Sequence, residues 1–153
     1  YIISPNFIKS RVMSGKFKLR FLSAFRDFFI YHHKSLEFRA KIFAAMISAK
    51  FDPDEDDFFV LNDITNEIYE NDQTRKDFLI QTVREYVARV KRNDRITLDA
   101  LLLSIDKDLK DHKRYAKKID FSHLRRLMSG CEEEILVQQR VYEFLINEVK
   151  LYS

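Results

Sequence analysis

Apolar positions recur at three- and four-residue spacing along most of the chain, which is the pattern of amphipathic helices. Six apolar stripes share this spacing, and they consist of Phe38, Ile42, Ala45, Met46 and Ala49; Leu61, Ile64 and Ile68; Leu79, Val83, Tyr86 and Val90; Leu98, Leu101, Leu102, Ile105 and Leu109; Leu124, Leu127 and Met128; and Val141, Phe144, Leu145 and Val149. An earlier stripe with Lys and Arg between its rings contains Phe17, Phe21, Phe25 and Phe28. No alternating run of strand length competes, so the pattern predicts an all-α, compact bundle of about six to seven short helices.

Helix starts are predicted where a short polar side chain can accept hydrogen bonds from first-turn amides. The candidates are Ser35, Asp72 or Thr74, Thr97, Asp120 or Ser122, and the run Ser129-Gly130-Cys131-Glu132, although Gly130 can equally end the preceding helix. For the helix after residue 51, Asp52 is the expected N-cap, Pro53 the first helical residue and Glu55 the capping-box acid. The charged run KDLKDHKRYAKK (residues 107–118) is expected to be a solvated turn of helix or a loop.

The composition is that of a single helical domain. The 153 residues are enough to bury a core, and two Gly and two Pro are few for a fold built of hairpins. The single cysteine excludes an intramolecular disulfide, and no apolar run approaches the roughly 18 residues that cross a bilayer. Because the chain begins at Tyr1, we expect a piece of a longer protein, with a basic aromatic lead-in and first helix over 1–34 and the helical domain over 35–153.

The net charge of +3 conceals two charged halves. Residues 1–40 hold eight basic and two acidic residues, or +6, whereas residues 41–80 hold four basic and ten acidic residues, or −6. Such polarity indicates where partners dock rather than which fold forms.

The basic stretch at residues 9–26 is the first candidate surface. Its cations, with no acid before Asp27, are Lys9, Arg11, Lys16, Lys18, Arg20 and Arg26. They suit three interpretations: a core helix with solvated cations, a segment lying on anionic lipid, or a nucleic-acid contact. We expect no nucleic acid, because no known reading motif accompanies them.

The run FDPDEDD (residues 51–57) is the second candidate surface. First-turn acids suit a helix start, because the macrodipole favours negative charge there. Carboxylates also bind hard cations, so Asp52, Asp54, Glu55 and Asp56 are candidate ligands for a weak, water-rich divalent site. Asp52, Asp54 and Asp56 match alternate positions of a calcium-binding EF-hand loop, but Pro53 interrupts it and its sharp-turn Gly and closing Glu are missing.

No catalytic constellation stands out in the sequence. His32, His33, His112 and His123 show no zinc-ligand spacing with Cys131, and neither a nucleophile elbow nor a phosphate-binding glycine loop occurs. We therefore expect no enzymatic activity and no firmly bound cofactor.

A helix ending IFAAMISAKFD and followed at once by PDEDDFFVLNDITNEI resembles the first helix pair of the tellurite-resistance TerB-like domains. Asp52 matches the family's acidic turn, and Pro53 replaces its usual Gly. The run VKRNDRITLDALLLSIDKDL is similar to the middle of the TerB-like domain in membrane-anchored DjlA-type J-domain co-chaperones. The family's second acidic turn has a degenerate counterpart in SGCEEEILVQQR, and the resemblance covers roughly residues 35–150.

The resemblance implies a non-enzymatic protein-interaction or dimerisation module in a co-chaperone or stress-response protein. Its alternative implication is a sensor of divalent metal that uses Asp52 to Asp56. Residues 9–26 would then lie beside the inner membrane, on its cytoplasmic face. The chain contains no His-Pro-Asp tripeptide, so we expect a targeting or dimerising role rather than stimulation of an Hsp70-type ATPase.

Overall fold

The computed structural model describes residues 34–92 and 97–153. They form α1 (Lys34–Ser48), α2 (Glu55–Ile68), α3 (Gln73–Arg92), α4 (Leu98–Asp111), a 3-10 helix (Lys113–Lys118), α5 (Phe121–Arg126) and α6 (Glu132–Tyr152). No strand occurs in these two ranges, and the all-α prediction is confirmed. The predicted basic helix with its four Phe residues lies outside the described residues.

Helix α1 is the central helix of the bundle. It packs against α3, α4, α6 and the 3-10 helix. Its predicted stripe is buried, and so are Phe43, Ala44 and Ile47 on its other faces. A helix that is apolar almost all round is stable only when neighbours surround it.

The polar side chains of α1 join it to those neighbours. Lys41 Nζ lies 2.8 Å from a carboxylate oxygen of Asp108 in α4. The hydroxyl of Tyr86 in α3 donates to Glu37 over 2.6 Å. Partly buried bonds of this kind satisfy groups that burial would otherwise leave unpaired.

Three of the six predicted helix starts are confirmed. The side chains of Thr97 and Asp120 accept hydrogen bonds from first-turn amides of α4 and α5, and Asp72 does the same before α3. The Ser35 prediction is wrong, because α1 already includes Lys34.

The charged run at residues 107–118 is more ordered than the sequence indicated. It forms the end of α4 and the 3-10 helix, in which Tyr115 and Ala116 are buried. The ring of Tyr115 packs against that of Phe38, with centroids 5.1 Å apart. The two core residues hold the backbone in place while the surrounding Lys and Arg face solvent.

Candidate functional site

The predicted cap of α2 is wrong by two residues. The N-cap is Asp54, whose carboxylate accepts from the amides of Asp56 (3.0 Å) and Asp57 (3.4 Å). Asp57 completes the capping box by accepting from the Asp54 amide over 2.9 Å. Residues 52–55 and 54–57 both fit a capping-box pattern, so local sequence alone does not choose between them.

A buried ion pair selects the later register. Lys50 Nζ lies 2.9 and 3.1 Å from the two carboxylate oxygens of Asp57, and the side chains are 7% and 2% exposed. Burial lowers the pKa of Lys50, but its hydrogen bond to Asp57, with the charges of Asp57, Asp54 and Glu134, outweighs burial and raises it. A cap at Asp52 would place Asp57 in a later turn and leave Lys50 without this partner.

Glu134 joins the first acidic turn (residues 50–57) to a second one (residues 129–134). One carboxylate oxygen accepts from the amides of Phe51 (2.8 Å) and Asp52 (3.3 Å), and the other accepts from the Cys131 amide (3.0 Å). The Cys131 amide above all, and those of Asp52 and Phe51, lower the pKa of Glu134 against the opposing effect of burial. Two segments some 80 residues apart in sequence therefore meet at one carboxylate.

The second acidic turn also departs from its predicted register. Cys131, rather than Ser129, is the N-cap of α6, and Glu134, rather than Glu132, is its capping-box acid. Gly130 precedes the cap with φ of +115°, a left-handed conformation that favours glycine.

Ser129 and Gln138 support the junction from inside. The Ser129 hydroxyl lies 3.2 Å from Lys50 Nζ and 3.3 Å from an Asp57 oxygen. Gln138 is fully buried and donates to the carbonyls of Met46 and Leu127, while it accepts from the Ser129 amide. These bonds fix the end of α1 against the second acidic turn.

The remaining acids of the first turn have no partner in common. Asp52 lies 3.2 Å from Lys91, and Glu55 makes a two-pronged bond with Arg84 at 3.0 and 3.1 Å. The hydrogen bond from Arg84 lowers the pKa of Glu55. Asp56 is exposed.

The proposed metal ligands therefore lie close in sequence but have separate structural contacts. Asp54 caps α2, while Asp52 and Glu55 pair with different cations of α3. In residues 34–92 and 97–153, no group of three or more His, Cys, Asp or Glu side chains is placed to hold a metal ion. Metal binding by Asp52, Asp54, Glu55 and Asp56 stays a prediction.

Phe51 is the exposed apolar residue at this junction. Its side chain is 62% exposed although hydrogen bonds hold its amide and its carbonyl, the latter to Lys91 Nζ over 2.8 Å. Beside it is an open pocket of about 230 Å³, lined by the apolar residues Pro53, Val87 and Val90 and by the polar residues Ser48, Lys50 and Lys91. The backbone is thus fixed while the ring faces outward.

The other candidates from the sequence are not brought to this junction. Lys9, Arg11, Lys16, Lys18, Arg20 and Arg26 lie outside the described residues, as do His32 and His33. His112 stacks on Tyr115, with centroids 4.9 Å apart, and His123 lies 3.3 Å from Glu67. Within the described ranges, no helix combines the length and apolar character needed to span a membrane.

Comparison of the chain with protein-family models, with curated proteins and with solved structures finds no match. The TerB-like resemblance therefore rests on the sequence pattern. Sequence reasoning did not single out Lys50, Glu134, Ser129 or Gln138 as members of the site. A signal for Glu134 was present, because it follows Cys131 at capping-box spacing, but nothing local indicated its contact with Phe51.

Proposed function

We propose that this chain is a non-enzymatic, TerB-like protein-interaction module of a membrane-proximal co-chaperone or stress-response protein. The observation that carries the proposal is the junction of the two acidic turns through Glu134, with Phe51 exposed beside it. The resemblance implies two acidic turns, and the hydrogen bonds that join residues 50–57 to residues 129–134 through Glu134 support the proposal.

The junction has the properties of a preorganised binding surface. Its backbone is held by hydrogen bonds from Glu134, Lys91 and the capping residues of α2, so a partner would not have to order it. Aromatic residues, Phe among them, are enriched at protein interfaces relative to the rest of the surface. Asp52, Asp56, Glu132 and Glu133 are exposed around the two turns and favour a partner segment that is basic.

The carboxylates of the junction are poorly suited to acid–base catalysis. Asp54, Asp57 and Glu134 accept hydrogen bonds that hold helix starts together. The pKa values of Glu55 and Glu134 are lowered, whereas a general acid or base works best with a pKa near neutrality. These features support a binding role rather than an enzymatic one.

The partner test uses a basic sequence that this chain itself provides. A labelled peptide of residues 9–26 carries six basic residues and no acid, and it is titrated into the protein at low and moderate salt. We expect salt-sensitive binding that weakens in Phe51→Ala and in Asp52→Lys. Sedimentation velocity over a wide concentration range measures whether the chain also associates with itself.

Phe59→Ala is the matched control, because Phe59 is 67% exposed on α2 and lies outside the two turns. It should leave peptide binding and sedimentation unchanged. Absence of both peptide binding and self-association would refute the partner proposal. Equal losses in Phe51→Ala and Phe59→Ala would show that the junction is not the binding surface.

The membrane-proximal part of the proposal rests on residues 9–26 and has its own test. The protein is sedimented with vesicles of phosphatidylglycerol and, separately, of phosphatidylcholine. Each Lys or Arg near an anionic surface contributes about 1 kcal/mol, so binding only to the anionic vesicles is expected. The proposal fails if replacement of the six cations by Gln leaves that binding unchanged.

A further inference from the structure

Two carboxyl groups face each other between α4 and α6, far along the chain from the acidic turns. Glu148 and Tyr152 are one turn apart and lie on the same face of α6. The Tyr152 hydroxyl donates to Asp106 of α4 over 2.8 Å, so Asp106 lies against the face of α6 that also carries Glu148. Glu148 is 8% exposed, and its Oε1 is buried with no hydrogen-bond partner.

Cations of the neighbouring helices are held elsewhere or face solvent. On α1, Lys41 binds Asp108 and Ser104. Both are two residues from Asp106, which places them on nearly the opposite side of α4. On α4, Lys107 binds Asp111, and on the 3-10 helix Arg114 lies over the ring of Tyr115. The other exposed cations of these elements and of α6 are Lys34, Lys110, Lys113, Lys117, Lys118, Arg140 and Lys150.

Other polar groups of α1 are also engaged away from this site. Arg39 donates to Tyr69, and Glu37 accepts from Tyr86. Among the described residues, Asp106 is the charged group that acts on the Glu148 carboxyl. A buried carboxyl that faces only another carboxylate is stabilised by a proton, since two like charges in contact repel each other.

We propose that Asp106 and Glu148 form a proton-binding site that clamps α6 to α4. In the protonated state, Glu148 donates its O–H to an Asp106 oxygen, while Tyr152 donates to the same carboxylate. Loss of the proton leaves two anions at the helix contact and weakens the hold of α4 on the last turns of α6. The pair therefore couples the stability of this end of the bundle to pH.

The direction of the pKa shift of Glu148 agrees with this geometry. Burial first, and then the hydrogen bond and charge of Asp106, raise the pKa of Glu148 from 4.5 to about 7. Because the folded-state pKa is raised, the native state binds more protons than the unfolded chain between these two values. The stability associated with Glu148 is present below pH 4.5 and is lost as pH rises through about 7.

The first measurement is a carbon-13 NMR titration of the side-chain carboxyl of Glu148 in the intact chain. We expect a midpoint near neutrality, and Asp106→Asn should move it to lower pH by removing the facing charge. A midpoint of Glu148 at its ordinary value would overturn the proposal. This measurement needs no substitution in Glu148, so it does not depend on whether variants of that residue fold.

The second measurement compares chemical unfolding of the wild type and Glu148→Gln at pH 5 and pH 9. Gln cannot ionise and still donates to Asp106. Between these pH values the unfolding constant of the wild type should rise by on the order of a hundredfold more than that of Glu148→Gln. Identical pH dependence in the two proteins would overturn the proposal.

Glu143→Gln is the matched control, because Glu143 is an exposed carboxylate on the same helix. It removes the same formal charge from α6 without touching Asp106. Its pH dependence should match that of the wild type. A reduction equal to that of Glu148→Gln would assign the effect to the net charge of α6 and would overturn the clamp.

Discussion

The Lys50–Asp57 pair gives the sharpest prediction about the junction of the acidic turns. We consider Lys50→Met, Asp57→Asn and the double variant. Either single change leaves one buried charge without its counter-charge, because the two side chains are 7% and 2% exposed. Breaking such a pair from one side costs about 3–5 kcal/mol of unfolding free energy.

The hydrogen bonds that remain in each single variant decide which of the two loses more unfolding free energy. In Lys50→Met, Asp57 still accepts from the Asp54 amide and from Ser129, so the cost should be near the lower end of that range. In Asp57→Asn, the ammonium group of Lys50 keeps only the Ser129 hydroxyl and a neutral amide oxygen, so a larger cost is expected. The double variant carries no charge at either of these two positions. Its loss of unfolding free energy should be smaller than the sum of the two single losses by about 2 kcal/mol or more.

Urea unfolding followed by circular dichroism measures all four proteins of this cycle. A loss of 3 kcal/mol should also lower Tm by about 6–12 °C in a chain of this size. The slope of unfolding free energy against urea should stay constant, which shows that the unfolded state is unchanged. A coupling energy below about 0.5 kcal/mol would refute the reasoning, because the pair would then behave like an exposed ion pair.

Three further predictions concern the same junction. Gly130→Ala should lower the unfolding free energy in urea by about 1–3 kcal/mol, because Gly130 has a left-handed backbone and a Cβ there would collide with the Glu134 carboxylate. An unfolding free energy equal to that of the wild type would contradict this close contact. Glu134→Gln should speed hydrogen exchange at the amides of the first acidic turn, and unchanged exchange would exclude the link between the turns. Because the pKa of Glu134 is lowered in the folded state, the variant should also lose less unfolding free energy than the wild type as pH falls below 4.5. If the acids of the first turn bind metal as the sequence predicts, melting with Ca²⁺, Mg²⁺, Mn²⁺ or Zn²⁺ should show an ion-specific rise in Tm over EDTA that disappears in Asp52→Asn/Asp54→Asn/Asp56→Asn. The same Tm with every ion and with EDTA would refute metal binding there.

Much of the helical framework could be read from the sequence. Residues at three- and four-residue spacing become neighbours on one helix whatever the rest of the fold does, so the stripes of α3 and α4 mark buried faces correctly. The N-caps Thr97 and Asp120 were equally accessible, because a cap bonds to amides two or three residues away. The all-α class follows from these local patterns together with the absence of alternating runs.

Only the tertiary structure decided the register and partners of the acidic residues. Asp52 and Asp54 are equally good caps by local rules, and burial of Asp57 against Lys50 selects Asp54. The contact of Glu134 with Phe51 spans 83 residues, and the contact of Tyr152 with Asp106 spans 46. Such contacts depend on how helices pack, and the spacing of residues along one helix contains no record of which distant turn will lie against it.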